Sequence, residues 1–312
     1  MPTYNAQVTR ANVPVPEDVS RDIIAAAPAS SLALSTFRHV PMSTKTSKQP
    51  VLSALPSAFW VNGDTGLKQT TEAAWSNVIM TAEEVAALVP IPDALVDDTD
   101  IPLWDSIKPY LVEAVGRTVD DAAVWGVNKP ASWTSPALVP GAIAAGNTVA
   151  AGSGKDLGAD IAALAGKVAA DGYAVDTFAG GAGYDWKLAG LRTTSGNPLF
   201  IGPTDPNLPG TIYGRPLREV RNGTFNATAA ELLAYESDKF VVGVRQDITF
   251  DLFDQMVISD DTGKVIFNAP QQDSKVLRVV FRVGYAVANP VSRTSGDAAT
   301  RFPAGVLTPA AA

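Results

Sequence analysis

Few side chains in this sequence stand at spacings that could perform chemistry. His39 is the only histidine of the chain, so a Ser-His-Asp triad would have to use it. Residues 152–155, Gly-Ser-Gly-Lys, resemble the end of a phosphate-binding loop, but Asp156 follows where that loop has Ser or Thr. We therefore interpret His39 as an ordinary residue of an extended segment and residues 152–155 as part of a loop.

Two groups of carboxylates could be considered as cation ligands. Asp97, Asp98 and Asp100 form one group, and Asp260 and Asp261 form the other. Neither group has the spacing of a calcium-binding loop, so we expect helix capping or solvent-facing positions. The chain has no cysteine, which excludes disulfides, zinc–thiolate sites and cysteine nucleophiles. The sequence thus predicts no catalytic residue, no cofactor-binding residue and no metal ligand.

The composition is that of an acidic chain with enough apolar residues for a sizeable core. Of its 312 residues, 46% are hydrophobic, and the formal net charge is −8. A protein that holds nucleic acid through many phosphate contacts is normally basic, so tight DNA or RNA binding is not expected. No apolar run is long enough to span a membrane, and the first residues do not have the pattern of a signal peptide.

The longest predicted element is a helix over residues 101–126, roughly 37 Å long. Its predicted apolar face comprises Trp104, Ile107, Leu111, Ala114, Thr118, Ala122 and Trp125, widened by Leu103, Tyr110, Val115 and Val119. Its predicted polar side comprises Lys108, Glu113, Arg117, Asp120 and Asp121. We expect the aspartates at 97–100 to cap its start, Gly126 to end it and Pro109 to kink it. Trp104 and Trp125 are predicted to anchor it to a sheet.

Two segments before this helix have no evident partner within the chain. Residues 1–50 read as an extended arm, with a short helix at 17–27 and a polar stretch at 43–49. The next segment reads as a long hairpin with strands Ala58–Val61 and Ala74–Met80 and a turn at 62–66. A hairpin with a polar middle is marginally stable alone, so both segments are expected to lie on another surface.

After the long helix, residues 129–154 read as a loop that crosses to a second domain. A second helix is predicted from Leu157, capped by Asp156 and ended by Gly172, and a third carries Trp186, Leu188 and Leu191. The predicted strands are Tyr173–Phe178, Thr211–Tyr213, Pro216–Val220, Lys239–Phe250 and Leu277–Val287, the last with Arg278 and Arg282 on its second face. Residues after Pro290 read as a loose tail.

This order of parts resembles the major capsid proteins of tailed bacteriophages, which have the Hong Kong ninety-seven type fold. The resemblance covers about residues 15–295, and the ordered set of motifs carries it rather than any single one. The motifs are AFWVNGD at 58–64, VPIPDALVDD at 89–98, DDAAVWG at 120–126, NKPASW at 128–133, YESDKFVVGVRQDITFDLFD at 235–254 and VLRVVFRVGYAVANP at 276–290.

The resemblance implies an α+β fold divided into named parts. These are an N-terminal arm (1–50), an E-loop hairpin (51–82), a P-domain with a long spine helix and a sheet (83–137), a compact A-domain (138–248), closing strands that return to the P-domain (249–295) and a C-terminal tail (296–312). Because the arm begins near Met1, no scaffolding extension is expected ahead of it, which implies a separate scaffold protein or none.

The function implied is structural rather than enzymatic. Copies would assemble in the host bacterial cytoplasm, as hexamers and pentamers, into the icosahedral shell of a virion that encloses double-stranded DNA without sequence-specific binding. The other partners implied are a portal and separate scaffold or decoration proteins, with no membrane. Some family members link an E-loop lysine to an asparagine of a neighbour with the help of a buried glutamate. Lys68 lies in the hairpin, but neither other residue is identifiable, so we interpret Lys68 as solvated and the shell as noncovalent.

Two other readings stay open at the level of sequence. An encapsulin-type nanocompartment shares the fold and would hold cargo enzymes instead of a genome. A hydrolase or nucleotide-using enzyme is the alternative from a different class, and it lacks an assembled site in this sequence.

Overall fold

The computed structural model describes residues 31–61, 66–93, 103–154, 156–191, 210–260 and 262–310, and for residues 103–106 the backbone alone. Within these ranges helices combine with two larger sheets and two hairpins, which confirms the predicted α+β fold. The predicted helix at 17–27 and the predicted caps at Asp97, Asp98 and Asp100 lie outside the described residues.

The first large sheet has four strands in the order β1-β10-β13-β4. They are β1 (Arg38–Pro41), β4 (Glu83–Pro92), β10 (Phe240–Phe253) and β13 (Ser274–Val287), and only β1 and β10 are parallel. The alternation predicted for β13 is confirmed, because every second residue from Leu277 to Val287 is buried. Strand β4 was not predicted from the sequence. Its prolines are tolerated because β4 is an edge strand.

The predicted long helix is confirmed as α2 (Leu103–Asp120), which continues into a π-helical turn (Asp121–Trp125) and ends at Gly126 with φ 74°. The prediction of its apolar face is confirmed for Val115 and Val119, which are buried, and was wrong for Ala114 and Thr118, which are exposed. A π-helical turn contains one residue more than an α-helical turn. An apolar face with a period of 3.6 residues therefore cannot continue unchanged through the π turn to Trp125. Asp120, predicted on the polar side, is buried, and Tyr110, predicted on the apolar face, is 71% exposed.

The second large sheet has six strands in the order β5-β14-β9-β6-β8-β7. Its strands are β5 (Thr148–Ala150), β6 (Thr177–Gly181), β7 (Thr211–Ile212), β8 (Arg215–Val220), β9 (Leu232–Tyr235) and β14 (Ala304–Thr308). Helices α3 (Leu138–Ala144), α4 (Leu157–Ala170) and α5 (Tyr184–Ala189) belong to the same region. The predicted cap of α4 is confirmed, because the Asp156 carboxylate accepts a 2.7 Å hydrogen bond from Ala159 N.

Three predictions for this region were wrong. The strand predicted at 173–178 is displaced to β6, and the loop predicted at 129–154 contains α3 and β5. Helix α3 contains Gly141, which suggests a loop, but the glycine is needed because a Cβ there would lie 2.4 Å from Phe302 Cζ. The predicted loose tail contains β14, which pairs with β5 and β9 and is buried through its first four residues. Pairing with distant strands orders a segment that is too short to be recognised alone.

The predicted hairpin consists of β2 (Thr46–Ala54) and β3 (Ala74–Thr81). Its second strand is confirmed, but the first strand predicted at Ala58–Val61 was wrong, and the polar stretch at 43–49 contributes to β2 instead. A strand that is exposed on alternate residues and contains Pro50 has little strand signal of its own. A second, smaller hairpin is formed by β11 (Val257–Ser259) and β12 (Val265–Asn268).

The end of the predicted arm belongs to the body of the subunit. Helix α1 (Leu32–Thr36) buries Leu32, Ala33 and Leu34 in the core that also holds α2 and the four-stranded sheet. Phe37 stacks on Phe240 with ring centroids 5.0 Å apart. The expectation of an extended segment is therefore wrong for residues 32–36, which are helical, whereas residues 38–41 are extended as strand β1.

Candidate assembly surfaces

The residues considered for chemistry do not form an active site in the described structure. His39 Nε2 lies 2.8 Å from the Leu34 carbonyl oxygen, so the ring serves a local contact. Asp260 accepts hydrogen bonds from the backbone and hydroxyl of Thr262 and from Lys264 N, which makes it a turn residue. Lys155 and Asp261 lie outside the described residues. Nowhere in the described ranges do three or more His, Asp or Glu side chains form a group that could hold a metal ion.

The loop at 152–155 uses its anion-binding groups internally. The backbone N–H groups of Gly152 and Gly154 donate to the Asp160 carboxylate at 2.7 and 2.6 Å, and Ser153 Oγ donates at 3.0 Å. Burial opposes ionisation of Asp160, but these three donors together lower the pKa of its carboxyl. The chain's own carboxylate thus occupies the position that a phosphate would take, which argues against nucleotide binding.

The hairpin β2–β3 presents apolar side chains that the described subunit does not cover. We call this set the hairpin surface, and it consists of Phe59, Trp60, Val61, Leu67, Trp75 and Ile79. Trp60 is fully exposed and Leu67 is 94% exposed. Trp75 pairs with Leu52 and Ile79 pairs with Lys48, so the last two members lie on one face of the ribbon. Several large exposed apolar side chains on one hairpin are a feature of interaction sites.

The base of the hairpin is anchored in the subunit. Met80 is buried over the paired glycines Gly243 and Gly284, where an added Cβ would lie 2.5 Å from Met80 Cε and 2.9 Å from Met80 Cγ. Farther along, Val291 N donates to the Leu52 carbonyl at 2.9 Å. The hairpin therefore has a fixed base and an exposed apolar end.

Lys68 stands on the exposed part of the hairpin. No hydrogen bond or ion pair places an asparagine or a glutamate beside it among the described residues. Its reading as a solvated lysine stays a prediction.

The four-stranded sheet has a charged second face. Arg278 pairs with Asp251 and Arg282 with Glu84, each at 2.7 Å. Charge pairs at cross-strand positions satisfy each other, so this face offers little free positive charge to DNA. At the edge of the sheet, β4 and α2 border a cavity of about 270 Å³, whose polar lining includes Glu83, Glu84 and Asn128.

One buried carboxylate was missed by the sequence reading. Asp120 is 1% exposed and accepts four hydrogen bonds, from Ser31 Oγ, Leu32 N, Ala33 N and Asn222 Nδ2. Burial raises the pKa of Asp120, and the four donors oppose that shift. In the sequence, Asp120 and Asp121 form an adjacent acidic pair, and nothing distinguishes the fully buried Asp120 from the half-buried Asp121.

Comparison with known proteins defines the class. The Phage capsid family matches residues 11–292, so the chain belongs to the phage capsid family. As a capsid protein, it is a structural component of a virion that associates with copies of itself. Among the described residues, no helix combines the length and apolar character needed to cross a membrane.

Individual relatives are similar over most of their length. A solved structure from Microbacterium phage Oxtober96 is 37% identical, with a TM-score of 0.79 over 90% of this chain and 91% of that chain. One from Mycobacterium phage Cain is 34% identical, with a TM-score of 0.79 over 90% of each chain. A curated relative, the major capsid protein of Staphylococcus phage 80alpha, is 21% identical over 261 residues, which cover 81% of this chain and 75% of that protein.

Proposed function

We propose that this chain is the major capsid protein of a tailed phage, and that its copies assemble as hexamers and pentamers into an icosahedral shell around a double-stranded DNA genome. Family membership and the phage relatives support the first part. The hairpin surface is the single observation that carries the second, because it is apolar, anchored at its base and uncovered within the described subunit.

The energetic argument favours burial of this surface against another copy. A tryptophan side chain buries roughly 200 Å², which contributes about 5 kcal/mol at 25 cal/mol per Å². Ordering the side chain costs about 1 kcal/mol. Burial of Trp60 alone would therefore stabilise a contact, and the other five residues of the hairpin surface would add to it.

The domain division stays part of this proposal. Residues 1–50 form the arm, 51–82 the E-loop hairpin, 83–137 the P-domain, 138–248 the A-domain, 249–295 the closing strands and 296–312 the tail. The strand positions support two changes to these limits. Strand β10 continues across the limit between the A-domain and the closing strands at residue 248, and β14, in the proposed tail, belongs to the six-stranded sheet.

The remaining partners follow from the same role. A shell that takes up a genome needs a portal, and it can use a separate scaffold or decoration protein during assembly in the host cytoplasm. The net charge of −8 suits a wall that encloses DNA without holding it tightly. The phage origin of the relatives described above favours this shell over an encapsulin-type compartment.

The assembly role of the hairpin surface can be tested with a matched pair of variants. Trp60→Ser should leave the melting temperature of the unassembled subunit unchanged, since the side chain is fully exposed. It should lower the yield of closed particles about tenfold, as expected for a central contact residue. Trp60→Phe keeps an aromatic ring and should retain most of the yield. Equal particle yields from Trp60→Ser and wild type would refute the role of this surface.

A further inference from the structure

A buried carboxylate joins three segments that are far apart in the sequence. Asp120 lies at the end of α2, Ser31–Ala33 begin α1, and Asn222 lies in the loop after β8. The distances from the Asp120 carboxylate to its four donors range from 2.7 to 3.0 Å. We call these five residues, Ser31, Leu32, Ala33, Asp120 and Asn222, the Asp120 joint.

The hydrogen bonds of the joint require a carboxylate. Oδ1 accepts from Ser31 Oγ and Ala33 N, and Oδ2 accepts from Leu32 N and Asn222 Nδ2. All four donors are neutral. An asparagine would place an N–H₂ group against two of these donors, and a leucine would leave all four unsatisfied.

The Asp120 joint connects α1, the end of α2 and the loop after β8. The π-helical turn begins at Asp121, directly after Asp120. Its last residue, Trp125, packs edge-on against Phe225, which lies in the same loop as Asn222. Asn222 Oδ1 also accepts from Thr224 N and Oγ1, so this loop presents its amide nitrogen to Asp120 in a fixed orientation.

We propose that Asp120 is a positioning residue for assembly, which fixes α1 and the loop after β8 against the end of α2. The inference rests on the proposed function, since the relative position of these three segments matters for assembly only if copies of the chain form a shell. Releasing the joint removes the hydrogen bonds that tie Ser31–Ala33 to α2, while Leu32 and Ala33 keep their apolar contacts in the main core.

Hydrogen exchange on the unassembled full-length chain tests the joint directly. In Asp120→Asn, the amides of Leu32 and Ala33 should exchange at least about tenfold faster, whereas those of β13 should change less than about twofold. Asn222→Ala removes one donor only, and we expect a smaller acceleration of about threefold at the same amides. Asp121→Asn changes the adjacent carboxylate, which makes none of these bonds, and should leave them unchanged.

Assembly yield then tests the consequence. Particle yield should fall at least about fivefold in Asp120→Asn and stay near wild type in Asp121→Asn. Unchanged exchange at Leu32 and Ala33, or equal acceleration throughout β13, would overturn the positioning role of Asp120. Wild-type protein that forms no shells while the local exchange result holds would instead overturn the proposed function.

Discussion

Trp125 packs edge-on against Phe225, with ring centroids 5.4 Å apart and ring planes at 90°. This contact joins the π-helical end of the spine helix to a loop between two strands of the six-stranded sheet. Trp125 had been predicted to anchor the helix to a sheet, and the anchor that the structure describes is a loop of the second sheet. The side chain of Trp104, its predicted counterpart, lies outside the described residues.

Removing this contact should destabilise the subunit moderately. Trp125 is partly buried against the main core, so we expect Trp125→Ala to lower the free energy of unfolding by about 2–3 kcal/mol, below the cost of a fully buried tryptophan. Trp186→Ala is the matched control, since Trp186 is 77% exposed and should change stability by less than about 0.5 kcal/mol. Urea unfolding of the unassembled subunit measures both. Equal effects of the two variants would show that the aromatic contact contributes nothing.

The Asp160 loop should contribute stability that depends on pH. The pKa of Asp160 is lowered in the folded state, so its contribution is fully present above the unfolded pKa of about 3.9 and is lost as the pH falls through the folded value. Asp160→Asn should cost about 1–3 kcal/mol near pH 7, where it disturbs three part-buried hydrogen bonds.

This cost should shrink as the pH is lowered below about 4. Thermal unfolding of wild type and variant across pH 3 to 7 checks the sign, with Asp297→Asn as a control at an exposed carboxylate. A destabilisation by Asp160→Asn that stays constant down to pH 3 would contradict an ionised Asp160 in the folded state.

The C-terminal strand should be essential for folding. Because β14 lies between β5 and β9, a chain that ends at residue 303 loses an interior strand and leaves backbone groups of both neighbours unpaired. We expect such a chain to be insoluble, whereas a chain that ends at residue 308 should behave like wild type. Soluble expression and melting temperature distinguish them. A soluble, cooperatively folded chain ending at 303 would restore the reading of a loose tail.

Local patterns in the sequence predicted elements whose stability comes from their own periodicity. The alternation in β13, the spine helix and the Asp156 cap of α4 are examples, and each follows from residues within one segment. Strands β2, β4, β5 and β14 were missed because they are short, polar or interrupted by proline, and their pairing partners are distant. Helix α3 was missed because its glycine serves a contact with Phe302 rather than a turn.

The candidate site was predictable only in part. The need of the hairpin for a partner surface could be read from the sequence, although its middle was interpreted as polar and its exposed apolar residues were not singled out. The Asp120 joint could not, because burial of an aspartate depends on donors about 90 and 100 residues away, as the separations of Ser31 and Asn222 show. A shift of one residue in the buried face of the spine helix decides whether Asp120 or Asp121 is the buried aspartate.

The shell should contain no covalent links between subunits. The chain has no cysteine, and an isopeptide bond at Lys68 would need a neighbouring asparagine and a carboxylic acid in a dry pocket. Boiled, fully denatured mature particles should therefore give one band near 32.5 kDa on a denaturing gel. A ladder of multiples that disappears in Lys68→Ala would make Lys68 a reactive residue and contradict a noncovalent shell.

Electron microscopy of purified full-length protein, with scaffold supplied where assembly requires it, tests the central claim most directly. The proposed function predicts closed icosahedral particles whose capsomers are hexamers and pentamers of this chain. Light scattering on the same samples reports the mass of every species, including those too small to image. A monodisperse monomer under every assembly condition would contradict the account.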